Sequence, residues 1–255
     1  AGVPRPNLAE SWEISPDGLT YTFRLRRKVF WHDGAGFDAI DVVFTIEQLQ
    51  KPGFRGSPTL AAQWQGVTTT IIDAYTVELR LPAQSASFLT RAALGIVPEH
   101  LLAGLDPGAL FDSTFNRAPV GTGPFTLTAL TQEAARLERH TGYHQGTPGL
   151  REIELRFFRD RPALLAALSS GEVGAALLAD PPSTTIVATL GKPVVFAAGL
   201  PLALITTELP LGGYTVLYMN NQLAPLNDPR LRRGLAAAID VPTLAASAGI
   251  ATGSP

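Results

Sequence analysis

Apolar and polar residues alternate in short runs near the start of the chain. Leu19, Tyr21, Phe23 and Leu25 alternate with Thr20, Thr22, Arg24 and Arg26, so this segment predicts a strand with one buried and one wet face. Val77, Leu79 and Leu81 repeat the pattern, as do Ile153, Leu155 and Phe157. Ahead of the first run, Ser15-Pro16-Asp17-Gly18 predicts a tight turn, because proline presets φ and glycine accepts a positive one. Trp12-Glu13-Ile14 then reads as the partner strand of a hairpin.

Elsewhere the period lengthens to that of a helix. Asp38 is placed to cap Ala39–Gln50, in which Ala39, Val42, Val43, Ile46 and Leu49 form one stripe. Asp160 caps a second helix, with Pro162 in its first turn and Gly171 just past its end, where a left-handed residue is expected. Asp228-Pro229 opens a third, through Leu231, Leu235 and Ile239. Gly234 inside it costs about 1 kcal/mol relative to alanine. Strands and helices mix without a regular βαβ period, which predicts a mixed α/β or α+β architecture. Pro/Gly-rich joints near Ala118–Pro124, Gly142–Gly149 and Pro210–Gly213 are the candidate crossings between lobes.

Composition narrows the picture. The 255 residues are 45% hydrophobic and 16% charged, enough for a sizeable core and for more than one lobe. Apolar runs such as Leu164–Leu168 and Leu200–Ile205 are too short to span a bilayer, so a soluble chain is expected. A net charge of −2 gives no basic field for nucleic acid, and Arg24, Arg26, Arg27 and Lys28 read as a solvated strand face. With no cysteine, disulfides, thiol catalysis and cysteine-ligated zinc are excluded.

Candidate chemistry is sparse. His140 and His144 stand four apart, but Thr141-Gly142-Tyr143 breaks the helix that would align them, so both read as solvated loop histidines and no metal is expected. His32 and Asp33 are neighbours in an extended segment and point to opposite sides, which defeats a base–orienter pair; Asp33-Gly34 reads as a turn. Asp38 and Asp41 read as a helix cap and a first-turn acid rather than a catalytic pair. In Gly121-Thr122-Gly123-Pro124, proline removes a donor a phosphate loop would need, and Phe125–Thr128 continues as a strand: the motif is a strand entry. No catalytic residue and no cofactor is assigned.

Taken in order, these motifs resemble one family. Pro6-Asn7-Leu8-Ala9-Glu10-Ser11-Trp12-Glu13 and Ser15-Pro16-Asp17-Gly18-Leu19-Thr20-Tyr21-Thr22-Phe23 are similar to the opening of family 5 extracellular solute-binding proteins, the oligopeptide-, dipeptide- and nickel-binding components of ABC importers. Phe30-Trp31-His32-Asp33-Gly34 with Asp41-Val42-Val43-Phe44, then Val120-Gly121-Thr122-Gly123-Pro124-Phe125, then Gly171-Glu172-Val173, follow in the family's order. So do Tyr218-Met219-Asn220-Asn221, Asp228-Pro229-Arg230-Leu231-Arg232-Arg233 and Ala238-Ile239-Asp240. Gly174 and Gly234 depart from the family's aspartate and alanine.

The resemblance implies a type II-like two-lobed periplasmic binding fold, class C with an extra accessory domain, incomplete in this chain. Residues 1–118 would form the accessory domain, 119–210 part of the main first lobe, and 211–255 the hinge crossing and the start of the second lobe. Such a protein captures a peptide or similar solute between its lobes, as a monomer, and delivers it to ABC transporter permease subunits. It would sit in the periplasm or outside the cell, held to the membrane only by a lipid anchor lying outside this chain. Neither a signal peptide nor a lipobox is visible, and the sequence opens within a motif at Ala1. By the same resemblance the ligand-binding candidates are Tyr214, Val216 and Tyr218 on one strand face, Ala179 and Asp180 in a turn, and Arg91, whose guanidinium suits a ligand carboxylate. The alternative keeps the fold as a ligand-sensing domain of a regulatory protein. A hydrolase would need a nucleophile–base pair, and the sequence offers none.

Overall fold

Four antiparallel strands in the order β1-β2-β4-β3 carry the main core: β1 (Ala9–Ile14), β2 (Thr20–Leu25), β3 (Thr68–Asp73) and β4 (Thr76–Arg80). The computed structural model describes residues 4–176, 224–240 and 243, together with the backbone of 194–195 and 201–202. It divides into two units, Ala1–Phe157 and Phe158–Pro255.

In the first unit the predicted hairpin forms, with Trp12 opposite Phe23 and Ile14 opposite Tyr21. Its turn closes through Gly18 N–H to the Ser15 carbonyl at 2.8 Å, with Gly18 at φ 67°. β4 pairs with the other edge of β2 and sets Val77 opposite Phe23 and Leu79 opposite Tyr21. The buried face of the sheet therefore carries Tyr21, Phe23, Leu25, Val77 and Leu79. Across it lies α1 (Ala39–Gln50), capped at Asp38 by a 2.7 Å hydrogen bond from Ile40 N–H. The expected stripe of α1 proves too narrow. Phe44 is buried, and so are the polar Asp41, Thr45 and Gln48, because the helix has neighbours on a second side. Trp31, Phe37, Trp64 and Phe88 complete the core. Each such side chain contributes about 1.5–3 kcal/mol on burial.

Shorter helices follow the sheet: α2 (Pro58–Trp64), α3 (Phe88–Arg91), α4 (Glu99–Leu102) and α5 (Pro107–Asp112), with a 3-10 turn at Thr114–Asn116. A separate antiparallel meander comes next, β5 (Phe125–Leu130), β6 (Ala134–Arg139) and β7 (Glu152–Arg156). Phe125 opens β5, so Gly121–Pro124 is a strand entry as expected. The alternation around β7 predicts a strand correctly but not its burial: Leu155 is 49% and Phe157 50% exposed, since no described element covers that face.

In the second unit α6 (Arg161–Ser170) is capped by Asp160, whose carboxylate accepts from Ala163 N–H at 2.9 Å, and it ends at Gly171 with φ 76°. Two short strands follow, β8 (Val194–Val195) and β9 (Pro201–Leu202), which pair antiparallel. Asp228 caps α7 (Pro229–Ala238), where Leu231 and Leu235 lie on the predicted face and stay partly exposed. No helix among the described residues is long and apolar enough to cross a membrane.

Candidate functional site

The buried face of the first sheet does not close completely. A hollow of about 690 Å³ opens between that face, α1, the segment before β1 and the stretch Leu89–Ile96. Trp12, Phe23, Ile46, Trp64 and Leu79 line it, with Arg5, Asn7 and Thr90 among its few polar groups. A mostly apolar concavity of this size, with a few polar groups, is the usual form of a small-molecule site. The indole Nε1 of Trp64 is buried with no hydrogen-bond partner among the described residues.

Two side chains of α1 fix the wall formed by the chain around residues 96–99. The carboxylate of Asp41 accepts from three donors: Trp31 Nε1 at 3.2 Å, Asp38 N–H at 3.1 Å and Glu99 N–H at 2.9 Å. Thr45 Oγ1 donates to the Asp41 carbonyl at 2.8 Å and accepts from Val97 N–H at 3.0 Å. Asp41 is thus more than a first-turn acid. It is buried and joins the Trp31 loop, the start of α1 and the start of α4. Sequence reading missed this link, although Asp41, Thr45 and Gln48 repeat at i, i+4 and i+7, a polar line on a helix otherwise apolar.

Arg91 stands at the end of α3, beside a smaller hollow of about 280 Å³. Its guanidinium lies over the Phe88 ring, 5.6 Å from the centroid, and donates to the Gln63 carbonyl at 3.2 Å and to Ser85 Oγ. Its Nε is buried without a partner among the described residues. Tyr214, Val216, Tyr218, Ala179 and Asp180 lie outside the described residues.

The histidines also find places. Asp33 turns back to accept from Ala35 N–H at 3.1 Å and pairs with His100 Nε2 at 2.8 Å. Burial pulls the Asp33 carboxyl upward, but the hydrogen bonds from His100 and Ala35 outweigh it and hold the group below its ordinary value. His32 points away from Asp33 as expected, although the two lie in a turn rather than an extended segment, and it bonds to Gly121 and Gly123. His140 and His144 lie in the loop after β6 as read, but their full solvation is corrected. Both are only partly exposed and both Nδ1 atoms are buried; His140 meets the His32 ring edge-on and His144 bonds Asn7 Oδ1 at 3.0 Å. Burial first, then Arg26 and His140, push His144 below the usual imidazole range. Among the described residues no group of three or more histidines and carboxylates is arranged to hold a metal.

Comparison with known proteins identifies the family. Residues 3–254 match the profile of the family described as bacterial extracellular solute-binding proteins, family 5 middle. The chain belongs to this family. It is 30% identical to di/tripeptide-binding protein 2 of Pseudomonas aeruginosa, over 91% of this chain and 45% of that protein. It is 31% identical to the peptide transport periplasmic protein SapA of Salmonella typhimurium, over 92% of this chain and 44% of that one. Among solved structures it resembles the oligopeptide-binding protein AppA of Bacillus subtilis in complex with a nonapeptide. That match has a TM-score of 0.62 and 27% identity, covering 66% of this chain and 34% of AppA. The binding protein MoaA of A. tumefaciens R10, in complex with mannopinic acid, matches with a TM-score of 0.64 and 26% identity, covering 95% of this chain and 47% of MoaA. This family 5 chain therefore has the mixed α/β architecture that its pattern predicts, and it spans about a third to just under half of the curated relatives it matches.

Proposed function

We propose that this family 5 chain is part of an extracellular or periplasmic receptor that captures peptides or similar small solutes between two lobes and delivers them to an ABC importer. The observation that carries this reading is the match across residues 3–254 to a family of extracellular solute-binding proteins. Relatives named for peptide binding and peptide transport support the substrate class. The sensor reading of the same fold finds no such support in those names. The role is binding without catalysis, and the partners are the solute and the permease subunits of the importer, with the receptor acting as a monomer.

On this reading residues 1–118 form the accessory domain and 119–210 part of the first lobe, with the second lobe beginning after residue 211. The ligand-binding candidates on this reading are Tyr214, Val216, Tyr218, Ala179, Asp180 and Arg91. Ligand held by both lobes favours the closed arrangement by its differential contacts there. Arg91 is a candidate because a guanidinium is the group that pairs a carboxylate through two parallel hydrogen bonds.

The test is calorimetric titration of the full-length protein, stripped of ligand, with di- and tripeptides, longer peptides, metal chelates and opine-like solutes. Peptide binding that weakens at least about tenfold in Arg91→Ala and in Tyr218→Ala supports the reading and its site. Absence of binding to every class overturns it.

A further inference from the structure

His32 is one of the residues that tie the first sheet's loops to the meander of the same unit. His32 N–H donates to the Gly121 carbonyl at 2.9 Å, and Gly121 N–H donates back to His32 Nδ1 at 3.2 Å. A backbone N–H can only donate, so Nδ1 is an acceptor and the ring proton sits on Nε2, directed at the Gly123 carbonyl 3.0 Å away. Three hydrogen bonds thus run between the Trp31 loop and the entry to β5, and two of them fix the tautomer.

We propose that His32 is an acid-released latch, which when neutral clamps the Gly121–Gly123 strand entry to the Trp31 loop and when protonated lets it go. A proton on Nδ1 would face the Gly121 N–H donor to donor, so the imidazolium cannot keep that bond. Two titratable groups bear on the ring. His140, at the end of β6, meets it edge-on with centroids 5.1 Å apart, and its charge would oppose a second one. Asp33 adjoins it in the loop and favours the charged form, but its carboxylate is turned to His100. Burial is the largest influence on His32 and, with His140, it outweighs Asp33 and the Gly123 bond, leaving the group below its ordinary value of 6.5. A lowered imidazole means the unfolded or released chain takes up protons first. The stabilisation is therefore complete above pH 6.5 and is lost as pH falls below it toward the lower folded value.

The latch is independent of which solute the protein takes, so its test needs no ligand. Heteronuclear NMR of the 255-residue chain reads the His32 tautomer and midpoint, and hydrogen exchange reads the Gly121 amide from pH 7.5 downward. The expected result is an Nε2–H ring titrating below 6.5. Over the same interval, with intrinsic rates corrected, the Gly121 amide loses protection by about tenfold. In His32→Asn the pH step vanishes. In His140→Asn the step remains and moves to higher pH. An Nδ1–H tautomer, a midpoint at or above 6.5, or Gly121 protection indifferent to pH overturns the proposal. All three are read on the unmutated chain, so a variant that fails to fold leaves the test standing.

Discussion

The two sheets of the first unit are written in the same alternating code yet end in different environments. In the four-stranded sheet Phe23 and Val77 are buried beneath α1, whereas in the meander Leu155 and Phe157 remain about half exposed. Alternation assigns a side chain to a face of a strand, and it says nothing about what will lie on that face. The first sheet has its cover nearby in sequence: α1 enters between β2 and β3 and returns over the strands it separates. The meander has three strands joined by turns and brings no helix of its own.

Substitutions in the two sheets should therefore differ sharply. Phe23→Ala leaves a cavity under α1 and is expected to cost about 3–5 kcal/mol in denaturant unfolding. Phe157→Ala, at a half-exposed position, is expected to cost about 1 kcal/mol or less. Equal losses would mean that the meander face is covered in solution and would erase the contrast.

The next largest effect lies at the polar hub of the covered sheet. Asp41→Ala removes the acceptor for Trp31 Nε1, Asp38 N–H and Glu99 N–H at once, and a loss of about 3 kcal/mol is expected. The same variant should raise hydrogen exchange at Glu99 more than at any amide of β5–β7.

Acid gives a third and smaller comparison. Asp33 is held below its ordinary value, so the stability it confers is present above pH 3.8 and is lost as pH falls below that toward its folded value. Asp33→Asn should flatten the acid limb of the stability–pH curve and, by removing a charge that favours protonated His32, move the His32 step to lower pH without abolishing it. The smallest effect belongs to the exposed pair Arg24–Glu13 on the wet face of β2, where Glu13→Gln is expected to change stability by about 0.5 kcal/mol or less.

Much of the frame was legible in the chain because its signals are local. Gly18 and Gly171 mark places where the backbone needs a left-handed φ, and Asp38, Asp160 and Asp228 cap helices through their own nearby amides. The candidate site was less legible. Its hollow gathers Trp12, Trp64 and Leu94 from three separated segments, and nothing in their spacing joins them. His140 and His144 looked solvated for the same reason: their partners, His32 and Asn7, are more than a hundred residues away in the chain.

By itself, then, the sequence determined the hairpin of β1 and β2, the strands β4, β5 and β7, the caps and the turns. These rest on periods and dihedral preferences within a few residues, and its motifs in order determined the family. Only the tertiary structure decided which sheet face is covered, that Asp41 is a buried three-way tie, and that His32 closes on Gly121 and Gly123. Those outcomes depend on which distant groups meet. A carboxylate or an imidazole acquires its charge state and its work from the donors and acceptors placed around it.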